Sequence, residues 1–524
     1  MDGLTWLTVG GRARRWWPGL LVAVGVGAWV LRALPFFHRA GALGYVVNYD
    51  EGVYAAASAL LWKGLLPYRD FLFVHPPGAL LLGAPAAAVG AFGDPARGFA
   101  LARWLATAMG AVSTVLVGRL AMRAWGPVAG VVAALAYAMH PEVVTMERGP
   151  FLDPLLNLCG LGLANVWLLP SGRAPLPRRA GLAGVLAGVM ASVKVLGGIW
   201  GAAALVARAP ELRWSLARRF VLAASFTVLA LVGPLALMAP GAFVRDVLWF
   251  QSARPEDGVT SRSERLLEMT HERRRYALLL AAVGLCVALA RAVRRGTRAQ
   301  AAPERFVATA YLLTVAAYLA AHSYWSNYNA LLAGPEALLA GLGAAALVGL
   351  ASARARPAGA VAFGLVLLAP LHSLREALRG SEIRPPEQVL LARYVREQVP
   401  PDASLCGFEP GWGLLAGRLP PRLPGQAVPL DTYALMLQDA VASGTRFPDA
   451  AAAFASADSQ TRMLALLARC DFVLLGARGQ WQLSTGSRRW FQANYSRGVS
   501  PDSPAVELWR RHELTSASAT GASP

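Results

Sequence analysis

An adjacent acidic pair, Asp50 and Glu51, stands just past the first apolar run, Gly19–Phe37. Tyr54 follows, then a Pro67-Tyr68-Arg69-Asp70 step and a His75-Pro76-Pro77-Gly78 step, before the chain turns apolar again. A loop carboxylate at a bilayer surface can take the proton of an incoming hydroxyl as general base. Asp50 is the candidate catalytic base, Glu51 a supporting acid beside the substrate, and Tyr54, Arg69 and His75 candidate substrate contacts. The plainer reading is capping. Asp50 would be the N-cap of the helix EGVYAAASALLWKG, Glu51 would favour its dipole, and Gly64 would be the C′ glycine. Capping alone leaves the density of acid, base and aromatic groups unexplained.

A second acid, Asp153, opens an apolar run in MERGPFLDPLLNL, where Pro154 suits the first helical position. It is the second catalytic candidate, and Arg148 is expected to pair with it or to meet an anionic ligand. Lys63 and Lys194 are the only lysines among 50 basic residues, and Lys194 lies inside LAGVMASVKVLGGIWGAA. Its plain reading is a lysine snorkelling to a nearby interface. A charge within a membrane segment is costly and functional by default, so Lys194 is expected to face a phosphate near the outer leaflet. Arg254, with Gln251, belongs to a 241–275 loop that is either a solvated face or a lid over the site. Tyr324 and Tyr328 read as interfacial aromatics or ligand contacts. No His or Cys lies at ligand spacing from His75, so a divalent metal is an open cofactor and no metal ligands are assigned. Walker, Rossmann and Ser-His-Asp patterns are missing, which argues against a nucleotide-sugar donor and for a lipid-linked one.

Positioning such residues falls to a membrane scaffold. The chain has 524 residues, 55% of them apolar, and apolar runs recur over the first 370 or so positions. This predicts an α-helical polytopic membrane protein. The formal charge of +19 comes from arginines clustered in short loops. The positive-inside rule produces that pattern, so nucleic acid is not an expected partner. The run after GRARRWW lacks an Ala-x-Ala-like cleavage step and reads as an uncleaved first span. The strong arginine bias fits a GC-rich bacterial genome, hence a bacterial inner (plasma) membrane.

Candidate spans begin near residues 18, 98, 125, 152, 180, 218, 276, 305, 330 and 357. Residues 77–93 are short for a span, whereas 180–208 as one helix would reach roughly 43 Å against a hydrocarbon core of about 30 Å. One threading lets 77–93 cross and tilts 180–208. The other keeps 77–93 outside and folds 180–208 into a hairpin with Lys194 near its outer tip. Both give about eleven crossings, N-terminus inside and C-terminus outside. The second puts Arg119, Arg123, Arg173, Arg178 and Arg179 in the cytoplasm, as the positive-inside rule favours. It also brings Asp50, Glu51, Glu147, Arg148, Asp153, Lys194, the 241–275 loop and 322–328 to one outer surface.

After residue 374 the composition shifts, and 375–512 reads as a small soluble extracytoplasmic α/β domain: helix 386–397, strand 403–408, helix 449–468, strand 471–475. Residues 513–524 read as a disordered tail. Cys406 and Cys470 can pair if this part faces an oxidising compartment, whereas Cys159 and Cys286 fall in apolar runs.

Taken together, Tyr49-Asp50-Glu51-Gly52-Val53-Tyr54, then Pro67-Tyr68-Arg69-Asp70 and the basic-Pro-Pro step at 75–77, resemble the GT-C superfamily. The branch it resembles is the family-39 type, with protein O-mannosyltransferases and lipid A aminoarabinose transferases. Arg148-x-x-x-x-Asp153, the isolated Lys194 and HSYWSNYNALLAGP (322–335) agree in order and spacing, and the resemblance spans roughly residues 15–375. It implies a 1–374 transmembrane domain whose first outer loop, 38–97, carries the Asp-Glu motif. It further implies a polyprenyl-phosphate sugar donor and inverting transfer to an outer acceptor, which may be taken as protein, lipid or polysaccharide. By the resemblance Asp50 is the base, Asp153 the second active-site acid, and Lys194 and His75 lie near the donor phosphate. Where the aminoarabinose transferases carry Glu-Lys-Pro, this chain has Val74-His75-Pro76, so a metal or lipid A role does not carry over. The competing reading is a transporter or flippase with the acids and Lys194 lining a pathway, but such proteins often show inverted repeats and midplane charges.

The threading predicts residues 171–179 in the cytoplasm and 142–150 and 194 outside. Single cysteines on a background without native thiols, labelled in spheroplasts with an impermeant maleimide, should react at 145 and not at 172. Labelling at 172 from outside would overturn the threading.

Overall fold

The structure is a computed structural model that describes residues 16–38, 41–169, 176–270, 274–295, 299–353, 356–379, 387–498 and 506–512. The basic stretch 11–15, Arg173 and the 513–524 tail lie outside the described residues.

Each expected apolar run forms helix. The long ones are Trp17–His38, Pro95–Trp125, Trp214–Met238, Arg275–Arg295, Ala302–Ala320, Asn329–Ala353 and Arg356–Arg379. Among the described residues, five helical segments are long and apolar enough to cross a membrane: Trp17–His38, Pro95–Trp125, Trp214–Met238, Arg275–Arg294 and Ser326–Leu350. The protein is an α-helical integral membrane protein.

The chain divides into two compact units, each assembled from separated segments. The first comprises Met1–Pro35, Trp104–Ala230 and Ser261–Glu382. Its central helix is Asn329–Ala353, with 78% of its apolar window buried. Small residues let the backbones close in, as membrane helices require. A Cβ on Gly284 would stand 1.9 Å from the Leu339 carbonyl oxygen, and one on Gly343 would stand 2.0 Å from that of Leu280.

The 180–208 stretch is not one tilted helix. Helices Leu176–Val193 and Gly198–Arg208 are separated at Lys194, whose backbone is extended (φ −150°, ψ 132°). The arms fold back on each other: a Cβ on Gly197 would meet the Met190 carbonyl oxygen at 2.6 Å, and one on Gly201 the Ala187 side chain at 3.2 Å. Both contacts straddle residue 194, so Lys194 sits at the turn of a hairpin, as the second threading expects. Arg179 caps the end of helix Asp153–Leu168, donating from Nε to the Val166 carbonyl at 2.8 Å and from Nη2 to Leu169. The first arm therefore runs antiparallel to that helix and returns Lys194 to the end that begins with Asp153.

The second unit comprises Phe36–Arg103, Leu231–Thr260 and Ile383–Pro524. This corrects the expected division, in which 375–512 forms a domain of its own and loop 38–97 belongs with the membrane part. The tail is α/β as expected. Strand Leu405–Gly407 pairs in parallel with Phe472–Gly476, which pairs antiparallel with Val506–Arg511, whose other edge takes Tyr495–Arg497. Such short strands give too small an apolar face to close a core by themselves. One buried cluster accordingly joins Tyr45, Val53, Leu60 and Phe73 of the first loop and Phe250 to Leu405, Phe472, Leu474 and Leu508 of the tail. Phe71 bridges to Val428, whose amide donates to the Asp70 carbonyl at 2.8 Å.

Cys406 and Cys470 form a disulfide across 64 positions, while Cys159 and Cys286 are free. Closing a loop of that length constrains the unfolded chain by on the order of 4 kcal/mol. Reduction should therefore lower the unfolding temperature of the purified protein by several degrees, and Cys286→Ser should not. Equal melting with and without reductant, with every cysteine titrating as thiol before reduction, would reject the bridge.

Candidate active site

Within the second unit, helix Tyr49–Trp62 begins one step earlier than capping by Asp50 requires. Asn48 is the N-cap: its Oδ1 accepts from the Asp50 amide at 3.0 Å, and the Glu51 carboxylate reaches back to the Asn48 amide at 3.3 Å and to the Val47 amide. This Asn-x-x-Glu capping box leaves Asp50 as the second helical residue rather than the cap. Gly64 does take the expected C′ role, at φ +82°, where a side chain would be strained. Tyr49, Val53, Ala56, Ala57 and Leu60 make the buried stripe that seats the helix.

Glu51 is fully buried and paired with Arg103, whose Nη2 lies 2.9 and 3.1 Å from its two carboxylate oxygens. Arg103 also donates to the Tyr45 and Ala42 carbonyls, and Phe99 stacks at 4.9 Å. Both oxygens of Glu51 are thus engaged inside the protein, in a position of support rather than at an accessible surface. Asp50 is half-buried between neighbours that are anchored.

Tyr54 lies one turn beyond Asp50 on the same helical face. Its hydroxyl is 3.3 Å from His75 Nε2, with the rings edge to face at 5.9 Å. The His75 backbone is framed as well: Tyr68 donates from its hydroxyl to the His75 carbonyl at 2.7 Å, and Gln251 Nε2 to that of Val74 at 3.0 Å. Among the described residues Tyr68 is the one non-glycine with positive φ, +68°, a strained conformation of the kind that clusters at functional sites. Asp70 closes the same turn by accepting from the Leu66 amide at 2.8 Å and from Arg69 Nη2 at 2.7 Å. Against the upward pull of partial burial, the hydrogen bonds from Arg69 and Leu66 hold the Asp70 carboxyl below its usual range. Arg69 itself remains 46% exposed. Arg254 is turned to Asp257, which also accepts from the Tyr433 hydroxyl at 2.6 Å.

In the first unit, Asp153 is the first residue of helix Asp153–Leu168 and Pro154 follows it in the first turn. It is 7% exposed, and its Oδ1 has no hydrogen-bond partner among the described residues. Lys194 is its electrostatic partner and rests its ammonium 4.2 Å over the ring of Tyr328. Tyr318 and Tyr324 back that ring, at 6.0 and 6.2 Å, and Tyr318 donates to the Tyr328 carbonyl at 2.8 Å. Tyr324 is fully buried and donates to Asn329 Oδ1, so it supports Tyr328 from behind. Arg148 has another task. Pro35 lacks the N–H that would satisfy the Leu31 carbonyl; Arg148 Nη2 donates to that oxygen at 2.9 Å and Nε to Arg32 at 3.1 Å.

The structure thus gathers Asp50, Tyr54 and His75 in one unit and Asp153, Lys194 and Tyr328 in the other. Sequence reasoning missed Arg103. A lone arginine in the apolar run FALARWLATAMG signals a buried charge, and a buried charge demands a partner. It also missed the buried set of Arg274 with Glu336 at 2.8 Å and His140 at 3.1 Å. No group of three His, Cys, Asp or Glu among the described residues is arranged to hold a metal ion.

No family model and no curated protein matches the sequence. Solved structures match along most of its length. ArnT from Cupriavidus metallidurans bound to undecaprenyl phosphate superposes with a TM-score of 0.60 at 15% identity, covering 94% of this chain and 97% of that one. The archaeal oligosaccharyltransferase AglB from Archaeoglobus fulgidus, in complex with an inhibitory peptide and a dolichol-phosphate, gives 0.56 at 13% identity over 93% of this chain and 73% of its own. The Archaeoglobus fulgidus enzyme with Zn and sulfate gives 0.55 at 13%, over 94% and 73%. At such identities the likeness is one of fold, and the fold expected from the GT-C resemblance is the one these chains share.

Removing Arg103 would leave Glu51 buried and unpaired, at a cost of about 3–5 kcal/mol. Arg103→Ala should therefore sharply lower folded yield and melting temperature. Arg103→Met combined with Glu51→Gln should recover much of the loss, since Gln still serves the capping box. If Arg103→Ala melts like wild type, the pair does not anchor the loop.

Proposed function

We propose that the chain is an inverting membrane glycosyltransferase, moving a hexose or pentose from a polyprenyl-phosphate carrier to an acceptor hydroxyl on the extracytoplasmic face. The observation that carries this reading is the setting of Asp50: a half-buried carboxylate in an anchored helical turn, with the Tyr54–His75 pair one turn away. The fold likeness to ArnT with undecaprenyl phosphate and to AglB with a dolichol-phosphate supports a lipid-phosphate donor. The Cys406–Cys470 bridge supports an oxidising compartment for the second unit, as outside a bacterial inner membrane.

In this reading Asp50 accepts the proton of the acceptor hydroxyl as its oxygen attacks the anomeric carbon. The new carbon–oxygen bond forms as the bond to the phosphate oxygen breaks, and the polyprenyl phosphate leaves with the electron pair. The charge that grows on the leaving phosphate is the main electrostatic task. Lys194 is assigned to it, because an ammonium lying on the Tyr328 ring keeps N–H donors for an anion. Asp153 balances that ammonium within the low-dielectric segment, and His75, Tyr54 and Arg69 contact substrate. The acceptor is a protein, lipid or polysaccharide hydroxyl. A bound divalent metal would add phosphate charge compensation, and no step above depends on it.

Because Asn48 is the cap, Asp50→Asn changes only a dipole-facing charge, worth about 0.3–1 kcal/mol. The variant should express and melt close to wild type while transfer falls on the order of a hundred- to ten-thousandfold. The assay is sugar transfer in membranes, or restoration of the missing glycan in complemented deletion cells. A well-expressed variant that transfers within a fewfold of wild type removes Asp50 as the base.

A further inference from the structure

The tail reaches the candidate base through Tyr49. The Tyr49 hydroxyl donates to Asp431 Oδ1 at 2.9 Å, and the same oxygen accepts from the Ala434 amide at 2.9 Å. Asp431 is thus the N-cap of helix Thr432–Ala442, so its carboxylate is oriented by its own helix before it meets Tyr49. On the ring face of Tyr49 lies the Arg478 guanidinium, 4.3 Å from the centroid, which also covers Tyr433 at 5.6 Å. A second tail contact follows along the helix. A Cβ on Gly52 would stand 2.8 Å from the Gly411 backbone, so the two glycines let helix Pro410–Leu415 press against the first turn.

We infer that Asp431, backed by Arg478, is a positioning residue for sugar transfer, fixing through Tyr49 the helical turn that carries Asp50. The inference rests on the reading of Asp50 as the base. Asn48 holds the cap, Glu51 is tied to Arg103, and Tyr49 and Gly52 are held by the tail, so Asp50 is flanked on both sides by anchored residues. Small misplacements of a reacting group cost rate far more than they cost stability, about a hundredfold for 1 Å. The Tyr49–Asp431 bond joins residues 382 positions apart, and neither belongs to the set read from the sequence as substrate contacts.

Tyr49→Phe keeps the buried ring under Arg478 and deletes only the hydroxyl. Asp431→Ala removes the acceptor, and Asp431→Asn retains both an oxygen acceptor and N-cap ability. The donor is the polyprenyl-phosphate sugar extracted from the deletion strain, presented to membranes carrying each full-length variant, with Asp50→Asn alongside. Tyr49→Phe and Asp431→Ala should each lower kcat ten- to a hundredfold with donor KM within about twofold. Asp431→Asn should restore most of the rate, and the Tyr49→Phe, Asp431→Ala double variant should be no slower than the slower single one. An inactive Asp50→Asn beside a fully active Tyr49→Phe overturns the inference while leaving the base in place. A loss in Tyr49→Phe that comes with an equal loss of melting temperature and of donor affinity also overturns it, as plain destabilisation. An active Asp50→Asn overturns the underlying reading, and the positioning role with it.

Discussion

Arg103 and Glu51 meet where neither side chain reaches water, and the organisation of the first loop depends on that meeting. A buried ion pair is tolerable only when the remaining donors and acceptors are also met. Here the guanidinium is shared with the Tyr45 and Ala42 carbonyls, and the carboxylate with the Val47 and Asn48 amides. One arginine on a long helix thereby fixes a stretch of loop backbone and the start of the next helix together. The functional consequence is indirect. Glu51 is the acid that makes its neighbour usable, by turning inward and leaving Asp50 at the half-buried position.

A different balance governs Lys194 in the other unit. An ammonium near an unpartnered carboxylate oxygen and on an aromatic face is stabilised without being locked into a bidentate pair. Cation–π attraction of this kind is worth roughly 0.5–2 kcal/mol, less than a well-made hydrogen-bonded charge pair in a dry site. The hairpin turn explains how the lysine comes to stand there: its extended backbone interrupts the apolar stretch at the level of Asp153.

Much of this was legible in the sequence, and the limits have physical causes. Local rules located the helices, the Gly64 terminus and the hairpin at Lys194, because hydropathy, chain length and glycine conformation act over short spans. The cap at Asn48 was equally local, readable from Asn-x-x-Glu, yet the catalytic appeal of the acidic pair drew the assignment to Asp50. The partner of Glu51 lies 52 positions away and that of Tyr49 lies 382 away, and no periodicity reports such pairings. The role of Arg148 was hidden for another reason. It answers the carbonyl that Pro35 leaves open, a defect in a helix over a hundred positions upstream. The tail was recognisable as α/β from its strands and helices, but its need for the first loop to complete a core follows from the size of the sheet.

That shared core has a consequence for how the protein is made. Tyr49 leaves the ribosome 382 residues ahead of Asp431, and at roughly 5–20 residues per second this is an interval of about 20–80 s. During it the apolar stripe of the first-loop helix has no tail to cover it, so the nascent chain needs shelter from chaperone or lipid until synthesis ends. A chain cut short before residue 405 lacks the sheet that closes the core, whatever the state of its membrane helices. The order of the polypeptide thus makes completion of the C-terminus a condition for assembling the turn that holds Asp50, and a prematurely terminated copy is delivered to the quality-control proteases unfinished.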